Sequence, residues 1–209
     1  HLSFHCELQF LRDDWFTVLD LHWALTPQSF AFGMEGDEVL SRLQTVSFAG
    51  VEVKTFATED LVLYLAIHGA KHLWRRLEWI SSLAEVAKPV DESAWDMIVE
   101  RALKVRAAKI LALGLHLVEY LFSQNVPAEL LPRLDPGGAM KTLAREIGED
   151  LFAAHSRTLL SSESHLYNLK VMDRKRDALS SALRALFVPT LSDWQALKLP
   201  PALHSLYYA

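Results

Sequence analysis

The sequence predicts an α+β protein, a small antiparallel or mixed β-sheet followed by a C-terminal helical bundle, and three observations carry that expectation. Apolar and polar residues alternate with a period of two through the first 25 residues. Ala49-Gly50 separates two further short runs of strand-forming residues. From Thr58 to the end, capping residues and prolines recur at helical spacing. Because the two kinds of element are segregated along the chain, residues 1–56 are expected to form a sheet domain and residues 57–209 a helical domain.

Leu2, Phe4, Cys6, Leu8 and Phe10 alternate with Ser3, His5, Glu7 and Gln9, and Arg12-Asp13-Asp14 supplies a turn into a second strand from Trp15 to Leu25. On that second strand Phe16, Val18, Asp20, His22 and Ala24 share one face, and Leu19, Leu21, Trp23 and Leu25 share the other. Asp20 and His22 therefore point the same way. An ionised carboxylate on a half-buried sheet costs free energy unless a cation or a hydrogen-bond donor meets it, so Asp20 asks for a partner, structural or catalytic. Residues 26–37, with Pro27, Gly33 and Gly36, read as a loop leading to a short helix, and Thr45–Phe48 and Val51–Phe56 as a second hairpin.

Thr58 is expected to cap the first long helix, with Glu59 and Asp60 over the positive end of its dipole, and that helix to run to about Arg76. A further stretch reaches Lys88 and stops at Pro89. Asp91 or Ser93 caps the next helix, through Arg106, and Ala107 to Gln124 makes another. Asp135-Pro-Gly-Gly138 breaks the chain sharply. Helices over 139–152 and 166–187 and a short one from Ser192 complete the bundle.

Bulk properties narrow the function classes. The chain has 209 residues, 51% hydrophobic and 22% charged, enough to bury a substantial core. Its formal charge of -5, without a long run of either sign, argues against broad electrostatic capture of nucleic acid. The single cysteine, Cys6, forms no internal disulfide, so a cytoplasmic location is expected. The most apolar stretch, Ala107 to Phe122, carries Lys109, His116 and Glu119 and reads as a buried helix, not a membrane span. The chain opens at His1, and an upstream segment is expected. No glycine-rich phosphate loop, dinucleotide fingerprint or serine nucleophile elbow is present in the sequence.

A second unusual stretch is HGAKHLWRRLEW, His68 to Trp79. On a helix His68, Lys71, His72 and Arg75 occupy positions i, i+3, i+4 and i+7, which gathers four basic groups on one face. Three readings compete for it. Two histidines at i, i+4 suit zinc, but Gly69 stands where the metalloprotease pattern needs a glutamate. A structural reading makes the stretch a late helical turn whose cations complement the dipole, with Trp74 and Leu77 in the core. A functional reading makes it a phosphate-binding face, with Lys71 and Arg75 on an anionic substrate and an imidazole positioning it or relaying a proton. Elsewhere Cys6 and His116 read as core residues, and Lys170, Arg174, Lys175 and Arg176 as a solvated helix face able to touch RNA or a nucleotide.

The segments LDLHWAL (residues 19–25), EDLVLYLAIHGAKHLWRRLEWI (59–80) and LPPALHSLYYA (199–209) together resemble a bacterial family of uncharacterised nucleotidyltransferases in the DNA polymerase beta-like superfamily. The resemblance implies that the first 56 residues are part of a nucleotidyltransferase sheet. It also implies three carboxylates holding two magnesium ions, an Asp-x-Asp pair on one strand and a third acid from a neighbouring strand. Asp20 matches the third, and His22 supports it or contacts substrate. The substrate is a nucleoside triphosphate, and the acceptor is an unidentified hydroxyl on a protein, RNA or small molecule. The resemblance places His68, Lys71 and His72 near the expected cleft without assigning them a role; phosphate binding by His68, Lys71, His72 and Arg75 is the functional reading of the helix face given above. Two departures accompany the match. The strand carrying the Asp-x-Asp pair is expected upstream of His1, without which the chain is expected to be inactive, and Ser82 stands where an aspartate is expected. The alternative from another class is a non-catalytic helical binding or accessory module, or a degenerate homologue, with Asp20 structural.

Overall fold

A computed structural model of the chain describes residues 7–13, 16–25, 34, 36–153, 167–174, 176, 177 and 179. The chain divides into two compact units, residues 1–31 with 174–209, and residues 32–173.

In the first unit strands β1 (Glu7–Leu11) and β2 (Val18–His22) pair antiparallel, Gln9 opposite Asp20 and Phe10 opposite Leu19. This register places Leu8, Phe10, Leu19 and Leu21 on one face and Gln9, Leu11, Val18, Asp20 and His22 on the other. Every position of β2 is exposed, so the half-buried sheet expected around Asp20 is not what the structure shows. The expected positions of Cys6, Asp14 and the 199–209 segment lie outside the described residues.

The second unit opens with a short helix α1 (Gly36–Leu40) and the antiparallel hairpin β3 (Gln44–Phe48) and β4 (Val51–Thr55). Ala49 and Gly50 both have positive φ, 50° and 81°, the backbone of a primed two-residue turn that matches strand twist. The helices follow: α2 (Thr58–Lys71), α3 (Leu77–Ala87), α4 (Glu92–Val105), α5 (Ala108–Phe122), the short α6 (Leu130–Leu134) and α7 (Ala139–Leu151). Residues 167–171 add a further helical turn. The α+β class is therefore as the patterns predicted, with the strands of the described residues in two two-stranded sheets.

Helix α5 is the hub, buried from Ile110 to Val118 without a break because α2, α3 and α7 all pack on it. Its first turn is capped from far away in the chain. The Asp173 carboxylate accepts from the backbone N–H of Ala108 at 3.0 Å and of Lys109 at 2.9 Å, satisfying two donors that have no partner inside the helix. Asp91 caps α4 as expected, accepting from Ala94 N–H at 2.9 Å, a bond that lowers its pKa. Asp135 uses its side chain to accept from Met140 N–H at 2.8 Å across the Pro-Gly-Gly break. Thr58 does not cap α2; Ala57 holds the N-cap position with no side-chain bond, and Thr58 is the first helical residue.

Helix α2 also ends earlier than its periodicity predicts, at Lys71. The N–H of Trp74 bonds the carbonyl of Gly69 at 2.8 Å and the N–H of Leu73 that of Ala70 at 3.0 Å, the paired bonds of a Schellman turn. Leu73 and Trp74 take left-handed φ of 59° and 53°, conformations that glycine usually supplies. What drives the chain into them is the Trp74 ring, which is fully buried. A Cβ on Gly69 would stand 2.3 Å from its Cζ3, and one on Gly114 of α5 3.0 Å from its Cη2. The indole is thus seated between two helices at the points where each lacks a side chain, and the gain from burying it offsets the backbone strain.

Candidate functional site

The structure groups the chemistry-bearing residues into three clusters. The first is on β2. Asp20 is exposed, and its Oδ1 accepts from Nε2 of Gln9, directly across the ladder, at 3.0 Å. The partner Asp20 asked for is therefore, among the described residues, a neutral amide. His22 lies two residues on, on the same face, opposite Glu7 in the register. One exposed carboxylate suits a hydrated magnesium ion, which usually takes one or two carboxylates and fills its shell with water and phosphate oxygens. Among the described residues no three His, Cys, Asp or Glu side chains gather to hold a metal.

The second cluster surrounds the end of α2. Because the helix stops at Lys71, with His72 as its C-cap, Arg75 does not continue the helical face that the i+7 spacing implied; it is exposed on the turn beyond. The structure does bring His68 and His72 together, their ring centroids 4.7 Å apart. They are the middle of a continuous file of half-buried rings. Phe56 meets Tyr64 at 5.2 Å, Tyr64 meets His68 at 5.8 Å, and His72 stacks on Trp79 of α3 at 4.9 Å with 28° between the planes. His68 also meets the edge of Trp79 at 5.8 Å. The exposed guanidinium of Arg76 lies over Trp79, 5.8 Å from its centroid, and bonds Glu78 at 2.8 Å. Half-buried Lys71 and exposed Arg75 and Arg76 place three cations around this file. Of the two residues that the structural reading put in the core, Trp74 is buried and Leu77 is exposed. The zinc reading loses its missing glutamate for a steric reason, since no side chain fits at Gly69 beneath the Trp74 ring. Ser82 turns its hydroxyl back on its own helix, donating to the Glu78 carbonyl at 2.7 Å.

The third cluster escaped sequence reasoning. Asp60 is fully buried and ion-paired with Nε of Arg101 from α4 and, at 3.1 Å, with Nε of Arg42. Arg101 and Lys104 both reach Oε1 of Glu38 at 3.0 Å and hold its carboxyl below the usual range, the Lys104 bond contributing most. Arg42, Glu59, Met97, Glu100, Arg101 and Lys104 line a cleft of about 380 Å³ beside this network. The available signal was periodicity: Asp60 precedes Leu63, Ile67 and Ala70 by three, seven and ten residues, which puts it on the buried stripe of α2.

The other candidates are simpler. His116 is buried with Nδ1 3.1 Å from Oε2 of Glu119, a satisfied core histidine as expected. Lys170, Arg174 and Arg176 are exposed, and Lys175 lies outside the described residues. No helix of the described residues is long and apolar enough to cross a membrane.

A family model described as "Uncharacterised nucleotidyltransferase" matches residues 5–123, more than half of the 209 residues. No curated protein matches the chain, and no solved structure does.

Proposed function

The chain belongs to the uncharacterised nucleotidyltransferase family, and from that premise we propose that it serves the transfer of a nucleoside monophosphate from a nucleoside triphosphate to an acceptor hydroxyl, in a magnesium-dependent reaction. The observation that supports this reading is that one family match spans both the strand bearing Asp20 and the end of α2 with the turn after it, which bear His68, Lys71, His72 and Arg75.

In this reading Asp20 supplies a carboxylate oxygen to magnesium, and the bound ion would supply charge neutralisation on the triphosphate. Gln9 donates to Oδ1 of this carboxylate, and in this reading the metal takes Oδ2. His22, on the same face, orients Asp20 or meets the substrate. Lys71 and Arg75 are charge partners for phosphate oxygens, Arg75 by its two-pronged donor geometry and Lys71 as a point charge. His68 and His72, each packed against another ring, present ring nitrogens in fixed directions. The acceptor is a protein, an RNA or a small molecule, and the setting is the cytoplasm.

The test is calorimetry of the protein with ATP or CTP in the presence of magnesium. Asp20→Asn abolishes the metal-dependent part of the binding, and Lys71→Ala weakens binding of the phosphates about tenfold, as loss of a charged contact does. Among the described residues Asp20 is the one carboxylate this reading gives to the metal, and one carboxylate does not hold two divalent ions against their hydration. The purified chain is therefore expected to turn over no triphosphate, and robust metal-dependent nucleotidylation by it would show that residues outside the described ones complete the metal site. A second reading, a non-catalytic binding or accessory module, is favoured by the neutral partner of Asp20. Binding unchanged in both variants would decide for it.

A further inference from the structure

A nucleotide has two recognisable parts, a multiply charged phosphate chain and a flat heteroaromatic base, and the cations around α2 address only the first. We propose that the ring file ending at Trp79 is the base-stacking site of this protein, with the nucleobase lying on the Trp79 indole where the Arg76 guanidinium now lies. This inference rests on the nucleotide-binding reading above and adds to it where the base goes.

Three observations converge on Trp79. First, the rings of the file are all half-buried, although they pack ring on ring: Phe56, Tyr64, His68, His72 and Trp79 each keep part of their surface in solvent. Packing for stability alone favours burying such large apolar groups, as the same turn does with Trp74, which is wholly inside. Second, the indole plane is fixed. His72 stacks on it at 4.9 Å and His68 braces its edge at 5.8 Å, so the ring is oriented before any ligand arrives and a base meeting it loses little freedom to the protein. Third, the group already over the indole is itself a planar cation. The Arg76 guanidinium sits 5.8 Å from the ring centroid at the end of a flexible, exposed side chain, tied only to the exposed Glu78 among the described contacts. Bases stack on aromatic rings and on guanidinium planes alike. A base can therefore replace the guanidinium on the indole while Arg76 moves to its outer side or to the phosphates.

The position also fits the charges. Lys71 closes α2, and Arg75 and Arg76 begin the approach to α3, so the three cations lie within eight residues of Trp79 in the chain and within the same turn. Stacking is tolerant of base identity, because every base has a π-face; the site so built grips the nucleotide without choosing among bases.

The test separates base from phosphate. The purified chain is titrated by calorimetry with ATP and, separately, with inorganic tripolyphosphate, both with magnesium. Wild type binds ATP about tenfold more tightly than tripolyphosphate, the usual order for one stacked base. Trp79→Leu, which keeps apolar bulk but removes the ring, brings ATP affinity down to that of tripolyphosphate and leaves tripolyphosphate affinity unchanged. Trp79→Phe, which keeps a ring, retains most of the difference. Circular dichroism confirms that each variant keeps its helices, and a Trp79→Leu variant that unfolds is replaced by Trp79→Met. ATP binding equally tight in wild type and Trp79→Leu, or equal affinity of wild type for ATP and tripolyphosphate, overturns the stacking site alone. Binding of neither ligand by wild type overturns the nucleotide reading together with it.

Discussion

At the scale of single residues, Asp60 sets the highest stakes. A carboxylate with no exposed surface is tolerable only because Arg101 and Arg42 meet it, and Arg101 is itself almost wholly buried. Removing the acid leaves the Nε side of a buried guanidinium unpaired, with only its Nη1 still on Glu38, whereas removing both leaves a cavity without that buried, half-paired charge. Asp60→Ala is therefore expected to destabilise the protein by about 3–5 kcal/mol, and the double change Asp60→Leu with Arg101→Met by clearly less. Urea unfolding followed by circular dichroism measures both; a double variant as unstable as Asp60→Ala would mean that the ion pair is not what the site depends on. Arg42 does not alter the order, because its side chain is 34% exposed and can turn toward Glu59, 3.7 Å away, when Asp60 is lost.

At the scale of elements, the end of α2 shows what a hydrophobic pattern can and cannot tell. The start signals at Thr58, Glu59 and Asp60 were enough to place a helix, and the structure shows its buried face in Val62, Leu63, Ala66, Ile67 and Ala70. Its stop was not legible, because no glycine or proline follows Lys71; the turn is made by Leu73 and Trp74 in backbone conformations that only a long-range contact enforces. For the same reason the one basic face inferred from i, i+4 and i+7 spacing kept its first two histidines together and lost Arg75. Gly69 stood where the metalloprotease pattern needs its glutamate base and is a seat for an indole in the fold. This reverses the usual effect of a helical glycine. Replacing glycine by alanine inside a helix ordinarily stabilises by about 1 kcal/mol, but here the added carbon meets ring atoms at 2.3 to 2.6 Å, and overpacking of that kind costs about 1–3 kcal/mol. Gly69→Ala is expected to lower the thermal midpoint, while Gly36→Ala, with nothing within 4 Å of the added carbon, leaves it nearly unchanged. A midpoint raised by Gly69→Ala would show that the Trp74 ring has room to move aside.

At the scale of the whole molecule, burial is distributed unevenly. The strand alternation of β1 and β2 was readable in the first 25 residues, and so was the shared face of Asp20 and His22. That alternation did not reveal how much of the hairpin faces solvent, because period-two patterning reports which face is apolar and not what covers it. Among the described residues every buried side chain lies between Met34 and Met172, inside the unit formed by residues 32–173. Apolar burial is the dominant favourable term in folding, so that unit contains the means of its own stability. It also ends on Asp173, the residue that caps the central helix α5, so cutting the chain there removes no cap. Residues 32–173 produced alone are accordingly expected to keep the helical circular dichroism of the full chain. They should unfold in one cooperative step with a free energy on the order of 5 kcal/mol or more, the ordinary range for a domain with a closed core. Removing the Asp173 carboxylate in that fragment by Asp173→Ala should then cost about 1–2 kcal/mol, the value of a helix cap. A fragment that melts gradually, without a folded baseline, would show instead that the helices require residues outside 32–173 to close their core.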